Sequence, residues 1–251
     1  MAPEPDRSQS PLIGILSAFR SEVSSLAGRL DLPRKMIVGG RKAWYGSLGD
    51  SRLLICAGGM GPDNASAATQ ALLEEGVSTL LCVGAAGGLD ETLNVGDLVI
   101  AEWVLSHHGS QRPIPCDATW LGRARRIANQ QGFRAATGGV VSVSRPVTSP
   151  QDKARLARET NALAVDMESA AAAQAAGVPF FSLRVITDDA RTALPDFREG
   201  WRNPGRLLAQ GTGFLARANS LRHALNRLQD FVHLLVRDTP LLGDFLDGTA
   251  D

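Results

Sequence analysis

Thr79-Leu80-Leu81-Cys82-Val83 runs directly into Gly84-Ala85-Ala86-Gly87-Gly88. A short apolar run without polar alternation reads as a strand buried on both faces, and such strands belong to sheets covered by helices. The glycines that follow end the strand, and their backbone can approach a ligand closely because few side chains are in the way. The same pattern recurs along the chain. Upstream, Leu12-Ile13-Gly14-Ile15-Leu16 is another buried strand, which passes into Ser17-Ala18-Phe19-Arg20-Ser21-Glu22-Val23, where a helix is expected to begin. Downstream, residues 97–105, 139–144, 162–165 and 179–187 read as strands. Residues 42–48 and 52–57 flank Gly49-Asp50, a hairpin signal.

Helices fill the intervals. Residues 63–75 are Ala-rich and amphipathic, and residues 118–131 end at Gly132. Ser149-Pro150-Gln151-Asp152 is a capping pattern that opens a helix to about Thr160, and residues 167–176 form another, closed by Gly177. Alternating strands and helices with an early hairpin predict an α/β fold: three layers, α/β/α, around a mixed central sheet. Residues 11–195 are expected to form one catalytic domain, 196–240 a helical region of that domain, and 1–10 and 241–251 disordered ends.

Composition narrows the function. The 251 residues are 44% hydrophobic and 21% charged, ordinary for a globular chain. Basic and acidic residues number 26 each, so no global field draws the protein to nucleic acid. Cys56, Cys82 and Cys116 are far apart, which argues against both a disulfide framework and a zinc site. The opening MAPEPDRSQSP has no basic segment followed by an apolar run, and no apolar stretch reaches about 18 residues. The expectation is a cytoplasmic protein without a metal.

The last fifty residues differ from the rest. Leu221, Leu225, Leu228, Phe231 and Leu235 recur near helical spacing among Arg198, Arg202, Arg206, Arg217, Arg222 and Arg227. This predicts one or two basic amphipathic helices, read either as a cover for the sheet or as a surface that docks on the inner face of a membrane.

Several acids stand at strand exits, where open α/β sheets bind ligands. Glu22 follows the first strand, Asp166-Met167-Glu168 follows the strand at 162–165, and Asp188 follows the last. Such a group suits a polar, hydroxyl-rich ligand. Gly58-Gly59-Met60-Gly61 lacks the dinucleotide spacing, because the third glycine position is Asn64.

Ile13 to Val23, Gly59-Met60-Gly61-Pro62-Asp63-Asn64-Ala65, Gly84 to Leu89, Val95-Gly96-Asp97-Leu98-Val99, Val165 to Ala170 and Arg184-Val185-Ile186-Thr187-Asp188 occur in the order found in the nucleoside phosphorylase/nucleosidase family. The chain resembles the branch that holds methylthioadenosine/S-adenosylhomocysteine nucleosidases, futalosine hydrolases and hopanoid-associated enzymes acting on adenosylhopane. The resemblance implies cleavage of the bond between a purine and ribose, through an oxocarbenium-like transition state. By motif, Glu22 activates water and Asp188 protonates the purine at N7. Glu168 accepts from the ribose hydroxyls and Met167 packs under the sugar, with Ser17, Ala85 and Gly87 as further substrate contacts.

Related phosphorylases carry an arginine and a serine near the second glycine-rich segment to bind phosphate. Cys82 and Ala85 stand there instead, which favours water, with Arg20 or Arg145 as the alternative cations. The segment Ser142-Val143-Ser144-Arg145-Pro146 has no aromatic to cover the base. The expected reaction is therefore hydrolysis of an adenosine-type nucleoside without a cofactor. The alternatives are a phosphorylase with phosphate as co-substrate, and a nucleoside-binding protein without turnover. The family also implies a homo-oligomer, and the arginine-rich C-terminal region a lipid-linked 5′ substituent on the substrate.

Overall fold

The computed structural model describes residues 10–107, 112–194 and 211–237, with side chains from 219 onward in the last segment. The described strands are β1 (Leu12–Ser17), β2 (Asp31–Val38), β3 (Arg41–Leu48), β4 (Ser51–Ala57), β5 (Thr79–Gly88), β6 (Leu98–Ser106), β7 (Ile114–Pro115), β8 (Ala135–Ser142), β9 (Ala162–Asp166) and β10 (Phe180–Asp188). The described helices are α1 (Ser24–Gly28), α2 (Pro62–Glu74), α3 (Ala118–Gln131), α4 (Pro150–Thr160), α5 (Ser169–Ala176) and α6 (Gly211–Arg237).

The sheet is mixed. Strands β1, β4, β5 and β10 run parallel to their mutual neighbours, while β3 and β2 complete one side antiparallel. On the other side β10 pairs antiparallel with β6, then β6 with β8 and β8 with β9, both parallel. Strand β9 returns to β5 through Gly87 opposite Val165 and Gly88 opposite Ala164. Five strands, β5, β10, β6, β8 and β9, thus close into a ring. Helices α2 and α5 pack together, and α6 packs on α1 and α3.

Local signals set most boundaries. The Asp117 side chain accepts from Trp120 N at 3.0 Å to start α3, and left-handed Gly132 ends it. Ser149 accepts from Asp152 N at 3.0 Å to start α4. Two readings change, and one strand was not foreseen. The glycine-rich segment after Val83 is strand, not loop, because β10 continues beside it as far as Gly87. Strand β2 has no apolar run to announce it. It is an edge strand, mostly exposed, whose pairing to β3 supplies its order. At the end of β1 the helix expected from residue 17 is a 3-10 turn (Arg20–Glu22) followed by the short α1.

Helix α6 covers the sheet. Ala224, Leu225, Leu228, Phe231, Val232, Leu235 and Val236 lie in the main core, so this part of its apolar stripe is used internally, while Leu221 is exposed. Arg227 stacks over Phe133, and no described helix is long and apolar enough to cross a membrane. Arg198, Arg202 and Arg206, the Arg217 side chain, and the ends at 1–9 and 241–251 lie outside the described residues. Ser10, expected in a disordered end, is buried, and its carbonyl accepts from Arg52 at 3.0 Å.

The same helix supplies a cap across the molecule. Val23 precedes α1 and offers no side-chain acceptor to the first free amides. Gln229 Oε1 accepts from Ser25 N at 2.6 Å and Leu26 N at 3.2 Å, while Asp230 pairs with Arg29 at 2.5 Å. The contact of Phe231 with Phe133 is edge-to-face, centroids 5.0 Å apart. Phe231→Ala should destabilise the protein by about 3–5 kcal/mol, read as a lowered urea midpoint at unchanged slope.

Candidate active site

The ends of β1, β5, β9 and β10 surround a cavity of about 190 Å³ lined by Glu22, Ala85, Gly87, Met167, Glu168 and Asp188. Three carboxylates separated by up to 166 residues in sequence therefore meet at one place. Ser17 does not line the cavity. It is buried, and its hydroxyl donates to Glu22 Oε2 at 2.5 Å.

Glu22 closes the 3-10 turn that follows β1. Its Oε2 also accepts from Phe19 N at 2.9 Å, and its Oε1 accepts from Ala85 N at 2.8 Å. The carboxylate is thus fixed between two strand ends. Ala85 spends its amide on Glu22.

Glu168 sits in the turn between β9 and α5. Its Oε1 accepts from Gly61 N at 2.7 Å, at the start of α2. Burial pushes its carboxyl up to about 7, with the negative charge of Asp166 adding to the effect and Arg184 opposing it. Met167 packs beside it against the smaller core cluster. Asp166, the other acid of this turn, serves the framework. It accepts from Ser142 Oγ at 2.5 Å, Ser169 N at 3.0 Å and Ser169 Oγ at 2.5 Å, and pairs with Arg184 at 2.7 Å.

Asp188 and Asp189 part ways at the end of β10. Asp189 Oδ1 accepts from Arg191 N at 3.0 Å and Thr192 N at 2.8 Å, capping the next turn. Asp188 turns inward. Its Oδ1 accepts from Thr187 Oγ1 at 3.1 Å, and its Oδ2 lies 2.5 Å from Nζ of Lys153. Nothing in the sequence around Lys153 marked it, because an exposed lysine in a first helical turn looks the same.

The glycines of β5 make room for side chains. A Cβ on Gly84 would stand 2.6 Å from Arg184 Nη1 and 3.0 Å from Glu22 Oε1, and one on Gly87 3.1 Å from Asp188 Oδ2. Arg184 also donates to Cys82 Sγ at 2.9 Å, and burial pushes that thiol up to about 12. Cys82 is therefore an inert thiol beneath the site, not a wall of it. Arg20 stacks over Trp44 at 5.6 Å, and Arg145 lines a separate concavity beside His107. Neither arginine lines the cavity. Val143, Pro146 and Val147 form the aliphatic wall where an aromatic was lacking in sequence.

Two outcomes follow from this geometry. Gly84→Ala should lower kcat by about 10²-fold through displacement of Glu22, and stability by about 1–3 kcal/mol, measured by steady-state turnover and thermal unfolding. For Glu168, the folded chain holds a proton that the unfolded chain releases above about 4.5. Stability should therefore fall as pH rises from about 4.5 to about 7 and level off above. Glu168→Gln should flatten that slope in a series of melts across pH.

Comparison with known proteins identifies the family and the fold. The profile of the phosphorylase superfamily matches residues 12–203. The 5'-methylthioadenosine/S-adenosylhomocysteine nucleosidase of Staphylococcus epidermidis is 28% identical over 196 residues, 70% of this chain and 86% of that one. In structure, the nucleosidase of the same name from Neisseria meningitidis, in complex with methylthio-immucillin-A, superposes with a TM-score of 0.77 at 23% identity. That match covers 91% of this chain and 99% of that one. Futalosine hydrolase of Helicobacter pylori superposes with a TM-score of 0.76 at 24% identity, covering 92% and 100%.

Proposed function

This chain belongs to the phosphorylase superfamily, and from that premise we infer that it is an N-ribosyl hydrolase that releases the purine from an adenosine-type nucleoside. The observation that carries the reading is the convergence of Glu22, Glu168 and Asp188 on one cavity. Bond cleavage at an anomeric carbon needs three things: a held ribose, a neutralised leaving group and a nucleophile on the opposite face. Glu168 holds the ribose hydroxyls, with Met167 beneath the ring. Asp188 gives a proton to purine N7 as the C1′–N9 bond breaks and its electron pair enters the purine. Glu22 takes a proton from a water that attacks C1′. The Glu22 turn is rigid, with Ser17, Phe19 and Ala85 all donating to the carboxylate, so the base is oriented before substrate arrives.

Two features support water over phosphate. The Ala85 amide, at the position where an anion site would need donors, already serves a carboxylate. Arg184 lies beside that position, and it is fully buried and tied to Asp166. An incoming phosphate would meet the Glu22 charge with no arginine among the described lining residues to offset it. Phe19 and Met60, each 51% exposed, form an apolar rim beside Glu22. The 5′ substituent accepted is therefore apolar, as in a methylthio group or a hydrocarbon.

The test is adenine release from methylthioadenosine in phosphate-free buffer, repeated with Glu22→Gln. Turnover without phosphate, lost by about 10²–10⁴-fold in the variant, is expected. A rate that needs added phosphate and survives Glu22→Gln identifies a phosphorylase. The absence of turnover with any nucleoside identifies a binding protein.

A further inference from the structure

Lys153 stands in the first turn of α4 with 0% of its side chain exposed. Its ammonium donates to Asp188 Oδ2 and to the Asp189 carbonyl, both at 2.5 Å, with the Thr192 carbonyl at 3.5 Å. All three acceptors belong to the end of β10 and the turn after it. A buried ammonium is expensive to desolvate, and an apolar side chain would fill the same volume at lower cost. Packing therefore does not account for a lysine here. Its geometry does: one oxygen of Asp188 is held from behind, and the neighbouring backbone is drawn to the same point.

We propose that Lys153 is a positioning residue for the acid, holding Asp188 Oδ2 so that Oδ1 meets the purine. The inference rests on the reading of Asp188 as the group that protonates N7. When the carboxyl gives up its proton, the C1′–N9 electron pair passes into the purine and Asp188 is left as a carboxylate. That carboxylate forms beside an ammonium already in place, so the attraction between them is greatest as the bond breaks. Helix α4 thereby has a function at the base end of the cavity, through a side chain that never touches substrate.

The test compares two substrates in the full-length enzyme. In methylthioadenosine the leaving purine needs a proton. In 4-nitrophenyl 5-methylthio-ribofuranoside the leaving group departs as a stable anion and needs none. Lys153→Met should lower kcat on methylthioadenosine by about 10²-fold with little change in KM, and lower it less than about tenfold on the nitrophenyl substrate. Asp188→Asn should show the same selectivity, and the double variant should be no slower than Asp188→Asn alone. Equal loss on both substrates for Lys153→Met means a purely structural lysine and overturns the proposal. If Asp188→Asn leaves both rates intact, the reading of Asp188 fails first and the proposal with it. If Asp188→Asn is selective and Lys153→Met is not, the proposal alone fails. Should Lys153→Met not fold, Lys153→Arg is read instead. It keeps the charge but replaces a point donor with a planar fork, and an unchanged ratio of the two rates would overturn the proposal.

Discussion

Arg184 and Asp166 face each other at 2.7 Å with side chains 1% and 0% exposed, and the candidate site is built around them. A buried pair of this kind adds little net stability, because desolvation offsets most of the attraction. What it gives is position. Asp166 ends β9 and Arg184 lies within β10, so the pair ties together two strands that are not neighbours in the ring. Ser142, Ser169 and Ser182 complete the network through hydroxyls, and Cys82 accepts from the guanidinium. The guanidinium also balances the negative charge of Glu22 and Glu168 nearby. Without it, Glu22, Asp166 and Glu168 would repel one another more strongly.

The acids in turn depend on the bareness of β5. A side chain at Gly84 would collide with both Arg184 and Glu22, and one at Gly87 would crowd Asp188. The central strand is thus empty at two positions where side chains arriving from β1, β10 and the turn after them need space. Glycine near a ligand is usually read as a way to admit the ligand. Here the first beneficiaries are the protein's own charged groups.

Much of this was legible in the sequence. Strand exits bearing Glu22, Glu168 and Asp188 could be found because apolar runs end abruptly there, and the end of α3 and the start of α4 followed from Gly132 and Ser149. What escaped has a common cause. Strand β2 carries Asp31, Arg34 and Lys35 and is ordered by its partner, so its own residues announce nothing. The segment after Val83 looked like a loop because glycine ends strands in isolation, whereas β10 extends this one by pairing. Lys153 and Gln229 are polar residues on amphipathic helices, and only the distant groups they meet distinguish them from solvated neighbours. The arginines of the C-terminal region suggested a membrane face. From Ala224 to Val236 the apolar stripe is committed to the core, while Leu221 is exposed and Arg198, Arg202 and Arg206 lie outside the described residues.

The clamp that Gln229 places on the first turn of α1 joins residues 204 apart in sequence. Contacts of that span form late, because the long loop between them must first be closed. On the ribosome the order is stricter still. Residues 12–28 emerge early and can pair with β4 and β5, but the turn that carries Glu22 has its far support only when α6 has cleared the exit tunnel. Synthesis therefore delivers the sheet first and the cap on α1 only with α6. A nascent chain that has not yet made α6 already has Ser17, Phe19 and Ala85 to hold the Glu22 carboxylate, while the first amides of α1 wait for their cap.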